Sequence, residues 1–274
     1  MNYHSDEWII DRVKEHYNEA LEYFPQDKII GIFYQGSGNY GLDYEDSDVD
    51  TKLVIAPSIK NLAMGTQVAN ETHIRDNNEH IDFKDIRLYL QLFKKQNLNF
   101  LEILYTSYYI INEDYKDEWM RLVKAREEIS RYSLPAAIKS MRGIAKEKYF
   151  ALEHPYPSRM EWINKWHYDP KQLHHLLRLE EYIARFTFGE TSETCLCSEQ
   201  PTTLIEVKRG CCFLKEARCW AKMAIDHIDE MCSKYLANCS IETNQDIDNL
   251  IDDVQYNIIK IAIAKELGEL NGHQ

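Results

Sequence analysis

Ile29-Ile30-Gly31-Ile32-Phe33-Tyr34-Gln35-Gly36-Ser37-Gly38-Asn39-Tyr40-Gly41-Leu42, followed after a short acidic stretch by Ser47-Asp48-Val49-Asp50, is the segment on which the fold turns. The first six residues form a short apolar, β-branched run, which predicts a buried strand. The glycine-rich part after it predicts a turn. Residues 48–55, with Val49, Leu53, Val54 and Ile55, predict a second strand that Pro57 ends. A turn rich in glycine therefore joins two strands, and an Asp-x-Asp pair begins the second.

Each part of this segment suits a particular chemistry. A strand that ends in Gly36-Ser37 exposes backbone N–H groups, which together with the Ser37 hydroxyl can hold phosphate oxygens. Glycine removes the side chain that would block close approach. Asp48 and Asp50 are two residues apart on an expected strand, so their side chains point the same way. Carboxylates pointing one way repel each other unless they are protonated or bound to a cation. Their hard oxygens favour Mg²⁺ or Mn²⁺. A third carboxylate on a neighbouring strand would complete a two-metal site. Asp82, in His80-Ile81-Asp82-Phe83, is the best candidate and could also deprotonate an attacking hydroxyl. Asp85 competes for that place but reads better as a helix N-cap. Asp43, Glu45 and Asp46 read as solvated loop residues.

Working outward, residues 6–23 carry Trp8, Ile9, Val13, Tyr17 and Leu21 at helical spacing, and Pro25 ends that helix. Residues 58–79 are polar and poorly patterned, which predicts a short helix and a loop. Residues 80–83 predict a third short strand. A helix with Ile86, Leu88, Tyr89, Leu92 and Phe93 follows it, then short apolar pieces at 100–104 and 108–111. From about residue 112 the pattern becomes helical, over 114–130, 134–152, 170–188, 209–236 and 244–268. Ser133 and Pro135 mark the start of the second of these. The expected fold is α+β. A small mixed β-sheet with helices on one side fills a domain over 1–111, and an all-helical domain over 112–274 closes a cleft.

Lys171, His175 and Arg178 sit at i, i+4 and i+7 after the cap-like Asp169-Pro170, on one helix face. That face suits phosphate groups, with arginine as a bidentate fork and lysine as a point charge. A solvated or salt-bridged face is the alternative, given Glu180 and Glu181. His174 packs or faces solvent. Tyr40, beside the turn, can stack on a base or pack.

The Gly36-Ser37, Gly41-Leu42 and Ser47-Asp48-Val49-Asp50 pattern resembles the signature of the DNA polymerase β-like nucleotidyltransferase superfamily. The residues Asn97-Leu98-Asn99-Phe100-Leu101-Glu102-Ile103-Leu104, Ser140-Met141-Arg142-Gly143-Ile144-Ala145 and the helix from Lys171 to Leu179 resemble a bacterial and phage branch linked with RNA repair. Leu98 departs from the proline expected there. The resemblance implies that Gly36 and Ser37 hold a triphosphate and that Asp48, Asp50 and Asp82 hold two divalent metals. It implies metal-dependent transfer of a nucleoside monophosphate from a nucleoside triphosphate to an acceptor hydroxyl, with an RNA or tRNA end favoured. A protein or small-molecule acceptor is the enzymatic alternative. A non-catalytic nucleotide sensor or antitoxin-like partner on the same fold is the alternative from another class.

Composition bounds these readings. At 274 residues the chain is comfortable for two domains of roughly 100–200 residues each. Its 45 acidic and 32 basic residues give a net charge of -13, so it has no overall pull on nucleic acid. No segment approaches the ~20 apolar residues of a membrane span. The N-terminus lacks a basic region followed by an apolar core, so no secretory signal and a cytoplasmic location are expected. The seven cysteines all lie between Cys195 and Cys239. Reduced thiols are the plain account, because the Cys195-x-Cys197 and Cys211-Cys212 spacings differ from the usual zinc knuckle.

Overall fold

The computed structural model describes residues 3–240 and 242–272. It is a mixed α+β protein with one five-stranded sheet. The strands are β1 (Ile29–Gln35), β2 (Asp50–Ile55), β3 (Asn70–Ile74), β4 (His80–Asp85) and β5 (Tyr109–Ile111), in the order β3-β4-β2-β1-β5. β2 and β4 run parallel, and the other pairs are antiparallel. Because β1 is continuously apolar, it is buried on both faces as an inner strand between β2 and β5. β3 was not expected from the sequence. Its side chains are almost all exposed, so it carries no apolar alternation, and its ladder with β4 defines it.

Two compact units divide the chain. The sheet unit contains α1 (Asp6–Ala20), α2 (Ile59–Met64), α3 (Ile86–Lys94), α4 (Leu98–Leu101), α5 (Glu113–Lys124) and α6 (Arg126–Ser130). α1 starts at Ser5, whose hydroxyl accepts from the Trp8 amide at 3.2 Å, with Asp6 and Glu7 favourably placed in its first turn. Ile9 and Val13 of α1 pack with Ile32, Tyr34, Leu53, Ile55, Ile81 and Phe83 on one sheet face. Ile30, Phe33 and Val54 on the other face pack with α3 and α5, where Trp119 stacks on Phe33 at 4.4 Å. The sheet is therefore covered by helices on both faces, not on one side as expected. The run 29–34 has apolar residues on both sides and needs both covered.

The helical unit holds Tyr40–Tyr44 and Ser133–Glu242. Its helices are α7 (Leu134–Ala151), α8 (Met160–Trp166), α9 (Pro170–Thr187), α10 (Ser192–Leu196), α11 (Pro201–Lys208) and α12 (Leu214–Asn238). α9 is central and packs against α7, α10, α11 and α12. Leu173, Leu176, Leu179, Ile183 and Phe186 form its buried stripe. Asp169 caps it, accepting from the Lys171 amide at 3.0 Å. Arg142 on α7 pairs with Asp229 on α12 at 2.5 Å. α8, α10 and α11 were not expected, since each is too short to show a helical period.

α13 (Gln245–Gly272) then returns to the sheet unit. Ile247, Ile251, Val254, Ile258 and Ala262 complete the core on the Phe33 face. Lys28–Glu266 (2.7 Å), Lys94–Asp252 (2.6 Å) and Arg121–Asp253 (2.6 Å) fasten it at the rim. The sequence reading divided the chain after residue 111. The compact units instead keep 112–132 and the segment from 243 with the sheet, because the apolar stripes of α5 and α13 cover it. Among the described residues no helix is long and apolar enough to cross a membrane.

Ending the chain at residue 242 removes five buried apolar side chains from one sheet face. The expected result is loss of the near-UV circular dichroism of Trp119 and of cooperative unfolding of the sheet unit. A truncated chain that unfolds with the full-length midpoint would contradict this account of α13.

Candidate functional site

The last ladder pair of β1 and β2 is Gln35 opposite Asp50. The next residues, Gly36-Ser37 leaving β1 and Asp48-Val49 entering β2, therefore stand at the same end of adjacent antiparallel strands. The Ser37 and Ser47 hydroxyls lie 3.3 Å apart across this opening. The turn is tightly built. The buried Tyr34 hydroxyl accepts from the Gly38 amide at 3.0 Å. A Cβ on Gly36 would lie 2.5 Å from that hydroxyl, so the tyrosine ring requires glycine there. Asn39 donates to the Tyr34 carbonyl at 3.1 Å and accepts from Thr106 at 2.7 Å. The Gly38 amide is thus engaged within the turn rather than open, a departure from the expectation of exposed N–H groups.

Asp48 is exposed and Asp50 half-buried, while Val49 between them is fully buried. β2 begins at Asp50, so Asp48 stands just before the strand, whereas the expected strand began at residue 48. Asp50 Oδ1 accepts from the His80 amide at 2.9 Å. The Val49 amide donates to Glu79 at 3.2 Å. Glu79 also accepts from Arg12 of α1 through both Nε and Nη2, Arg75 (2.9 Å) and Asn77 (2.8 Å). His16 bridges Glu79 and Thr51 at 2.9 Å each way. Burial alone would raise the Glu79 pKa. The bonds from His16, Arg12, Asn77 and the Val49 amide outweigh it and hold the carboxyl well below the usual range.

Asp82 lies on β4 opposite Lys52 of β2. The Lys52 ammonium is 3.1 Å from Asp82 Oδ2, and the Lys84 ammonium is 3.6 Å from Oδ1. Both lysines are almost fully buried and sit over the Phe100 ring at 4.2 and 5.3 Å. Burial pulls the Lys52 pKa down, and Asp82 partly offsets this. Gln35 donates to the Asn99 carbonyl at 3.0 Å, tying the segment that carries Phe100 to the end of β1. Tyr89 is fully buried on α3, and burial followed by the nearby Asp82 and Glu102 charges raises its pKa well above normal. Asp85 is a helix cap. It accepts from the Arg87 amide at 2.8 Å and pairs with the Arg87 guanidinium at 2.6 Å.

Asp48 and Asp50 offer hard oxygen donors. Asp82 does not join them in a group of three: among the described residues no cluster of three His, Cys, Asp or Glu side chains could hold a metal. Its oxygens face ammonium groups instead. None of the seven cysteines is in a disulfide, and among the described residues they form no metal-holding cluster.

Lys171, His175 and Arg178 belong to the helical unit, while Gly36, Ser37, Asp48, Asp50 and Asp82 belong to the sheet unit. The Arg178 guanidinium lies 4.5 Å over the Tyr40 ring, and Lys208 lies 4.7 Å over Tyr44. Tyr40 therefore packs on a cation of its own unit. Burial, then His174, Arg178 and Lys171, push the His175 pKa well below its usual value. At neutral pH it supplies a ring nitrogen and not the positive charge expected of it. His174 is buried and bonds the Leu204 carbonyl at 2.9 Å.

Sequence reasoning missed Glu79, Arg12, His16, Lys52 and Lys84. The two lysines were within reach, since 48-50-52 and 80-82-84 share a strand face by simple alternation. Glu79, Arg12 and His16 gave no signal, because their meeting depends on how α1 packs.

A scan against protein-family models matches no family, and a search of curated proteins finds no match.

Glu79→Gln removes the charge that two arginines and a histidine share, and should destabilise the protein by roughly 3 kcal/mol in denaturant unfolding. A loss below ~1 kcal/mol would mean that the network is not a buried ion cluster. His174 has its pKa lowered from 6.5 to about 3, mainly by burial and further by Lys208, Arg178 and Lys171. The unfolded chain then binds the extra proton between those values, so stability is complete above 6.5 and falls on acidification by up to ~1.4 kcal/mol per pH unit. His174→Asn should flatten the difference between urea midpoints at pH 7 and pH 5. An unchanged slope would remove His174 from the acid response.

Proposed function

We propose that the chain transfers a nucleoside monophosphate from a nucleoside triphosphate to an acceptor hydroxyl, releasing pyrophosphate. This reading takes the sheet unit as a nucleotidyltransferase core. The observation that carries it is the Gln35–Asp50 ladder pair, which sets the Gly36-Ser37 turn beside the Asp48-Val49-Asp50 segment. Asp48 and Asp50 would hold Mg²⁺ or Mn²⁺, which when bound neutralises charge on phosphate oxygens. The Ser37 hydroxyl, 3.3 Å from that of Ser47, would hold a phosphate oxygen at the turn. The Val49 backbone between them is held by the Glu79 carboxylate. An RNA or tRNA end is the favoured acceptor from the sequence resemblance. The net charge of -13 favours a short end, held locally, over a long duplex.

A nucleotide sensor without transfer activity is the second reading. The specific observation in its favour is Asp82, whose two oxygens face Lys52 and Lys84 rather than the aspartate pair.

The test follows transfer of α-phosphate label from each of the four ribonucleoside and four deoxyribonucleoside triphosphates with Mg²⁺ or Mn²⁺. Total tRNA, the protein itself and aminoglycosides serve as acceptors, and Asp48→Ala with Asp50→Ala is the control. Label on one acceptor that falls to background in the control is the expected outcome. Metal-dependent triphosphate binding without any transfer would favour the sensor. No binding at all would remove the proposed site.

A further inference from the structure

The cysteines take no part in the proposed site, yet two of them touch. Cys211 and Cys212 are adjacent in the chain, and their sulfurs lie 3.6 Å apart. Neither is in a disulfide, and Cys211 is exposed while Cys212 is buried. A neighbouring pair can point its sulfurs apart, but here the backbone turn brings them together. α11 ends at Lys208, and the chain reverses at Gly210, whose φ of +85° suits glycine. The Gly210 amide donates to the Val207 carbonyl at 3.0 Å, and the Cys211 amide to the Glu206 carbonyl at 3.2 Å. On the far side the Phe213 amide donates to Glu216 at 3.0 Å, where α12 begins.

This turn is fastened to the start of α9. The fully buried Tyr168 donates its hydroxyl to the Cys212 carbonyl at 2.9 Å. The Trp166 ring lies so close to Gly210 that a Cβ there would stand 2.5 Å from it. Burial, then Cys211, pushes the Cys212 thiol up to about 12, so it stays protonated at neutral pH. The exposed Cys211 is the sulfur that a reagent from solution reaches first. Cα atoms across a trans peptide are ~3.8 Å apart, less than the ~4.4–6.8 Å usual across a disulfide. Joining the two sulfurs therefore requires the backbone at 211–212 to move. The Cys212 carbonyl moves with it, away from a phenol that has no water to turn to.

We propose that Cys211 and Cys212 are a reversible oxidation site, in which a peroxide joins their sulfurs and the joined pair loosens the seam between α9, α11 and α12. The site is independent of nucleotidyl transfer. The Cys211 sulfur attacks one peroxide oxygen. An S–O bond forms, the O–O bond breaks and water leaves, so Cys211 is oxidised to a sulfenic acid and the peroxide is reduced. The Cys212 sulfur then attacks the Cys211 sulfur. An S–S bond forms, the S–O bond breaks, and the hydroxyl leaves as a second water with the Cys212 proton. A dithiol reverses the link by exchange.

Hydrogen peroxide at one equivalent, added to the full chain, is the probe. Trypsin cuts after Arg209 and Lys215, and the peptide 210–215 holds no other cysteine. After denaturation and alkylation of free thiols, that peptide should be unalkylated and lighter than its reduced form by two hydrogens. Dithiothreitol should restore both thiols. Cys212→Ser should instead leave Cys211 as a sulfenic acid that dimedone traps, and Cys211→Ser should leave Cys212 unoxidised. Circular dichroism checks that both variants are folded. Tryptophan fluorescence of the wild type should shift on oxidation and recover on reduction, and Trp166→Phe should abolish the shift. Cys211 found as a sulfinic acid, or joined to a different cysteine, with Cys212 still open to alkylation, would overturn the oxidation site. A linked pair with unchanged tryptophan fluorescence would overturn the loosening of the seam.

Discussion

Glu79 is a carboxylate taken out of water and then surrounded by donors: two arginines, a histidine, an asparagine and the Val49 amide. Left unpaired at that depth it would be costly, so the network has to be complete to be stable. Its completeness ties α1 to β2 and to the start of β4. Arg12 and His16 come from one helix face, and the carboxylate comes from the residue just before β4. The peptide between Asp48 and Asp50 is fixed by this bond on one side and by the buried Val49 side chain on the other.

Local signals were legible in the sequence. The β-branched run of β1, the glycine turn and the Asp85 cap all appear at or within two residues of the expected positions. So do the long helices α7 and α9, whose apolar stripes repeat over several turns, while α13 starts one residue later and runs four residues further than expected. What was not legible depends on tertiary meeting. β3 is exposed and polar, and only its ladder makes it a strand. The expected stretch 114–130 breaks into α5 and α6 at Ala125, where no glycine or proline warns of it. The place of α13 in the sheet unit could not be read from its composition, because an apolar helical stripe does not say which surface it covers. The same limit applied to Asp82. Its spacing proposed a shared carboxylate cluster, and the neighbouring strand residues Lys52 and Lys84 gave it other partners.

Both units pair cations with carboxylates, as at Lys52–Asp82 in the sheet unit and Arg159–Asp169 in the helical unit. Both also set cations over aromatic rings, as at Phe100 and at Tyr40 and Tyr44, a contact that stabilises by roughly 0.5–2 kcal/mol. Burial, aided by nearby cations, keeps His174 neutral.

The return of α13 to the sheet also governs the order in which the protein is made. A nascent chain emerges N-terminus first, and domains generally fold as units while it does so. All five strands and the aspartate pair leave the ribosome before Ile247, Ile251, Val254 and Ile258, which pack against α5 and α3 to complete the core on the Phe33 side. The intervening helices of 133–242 have every partner of their own unit earlier. The helical unit is therefore the first to be able to close. During translation the outer apolar surfaces of α3 and α5 wait uncovered for α13, which makes that interval the point at which a chaperone would have most to hold.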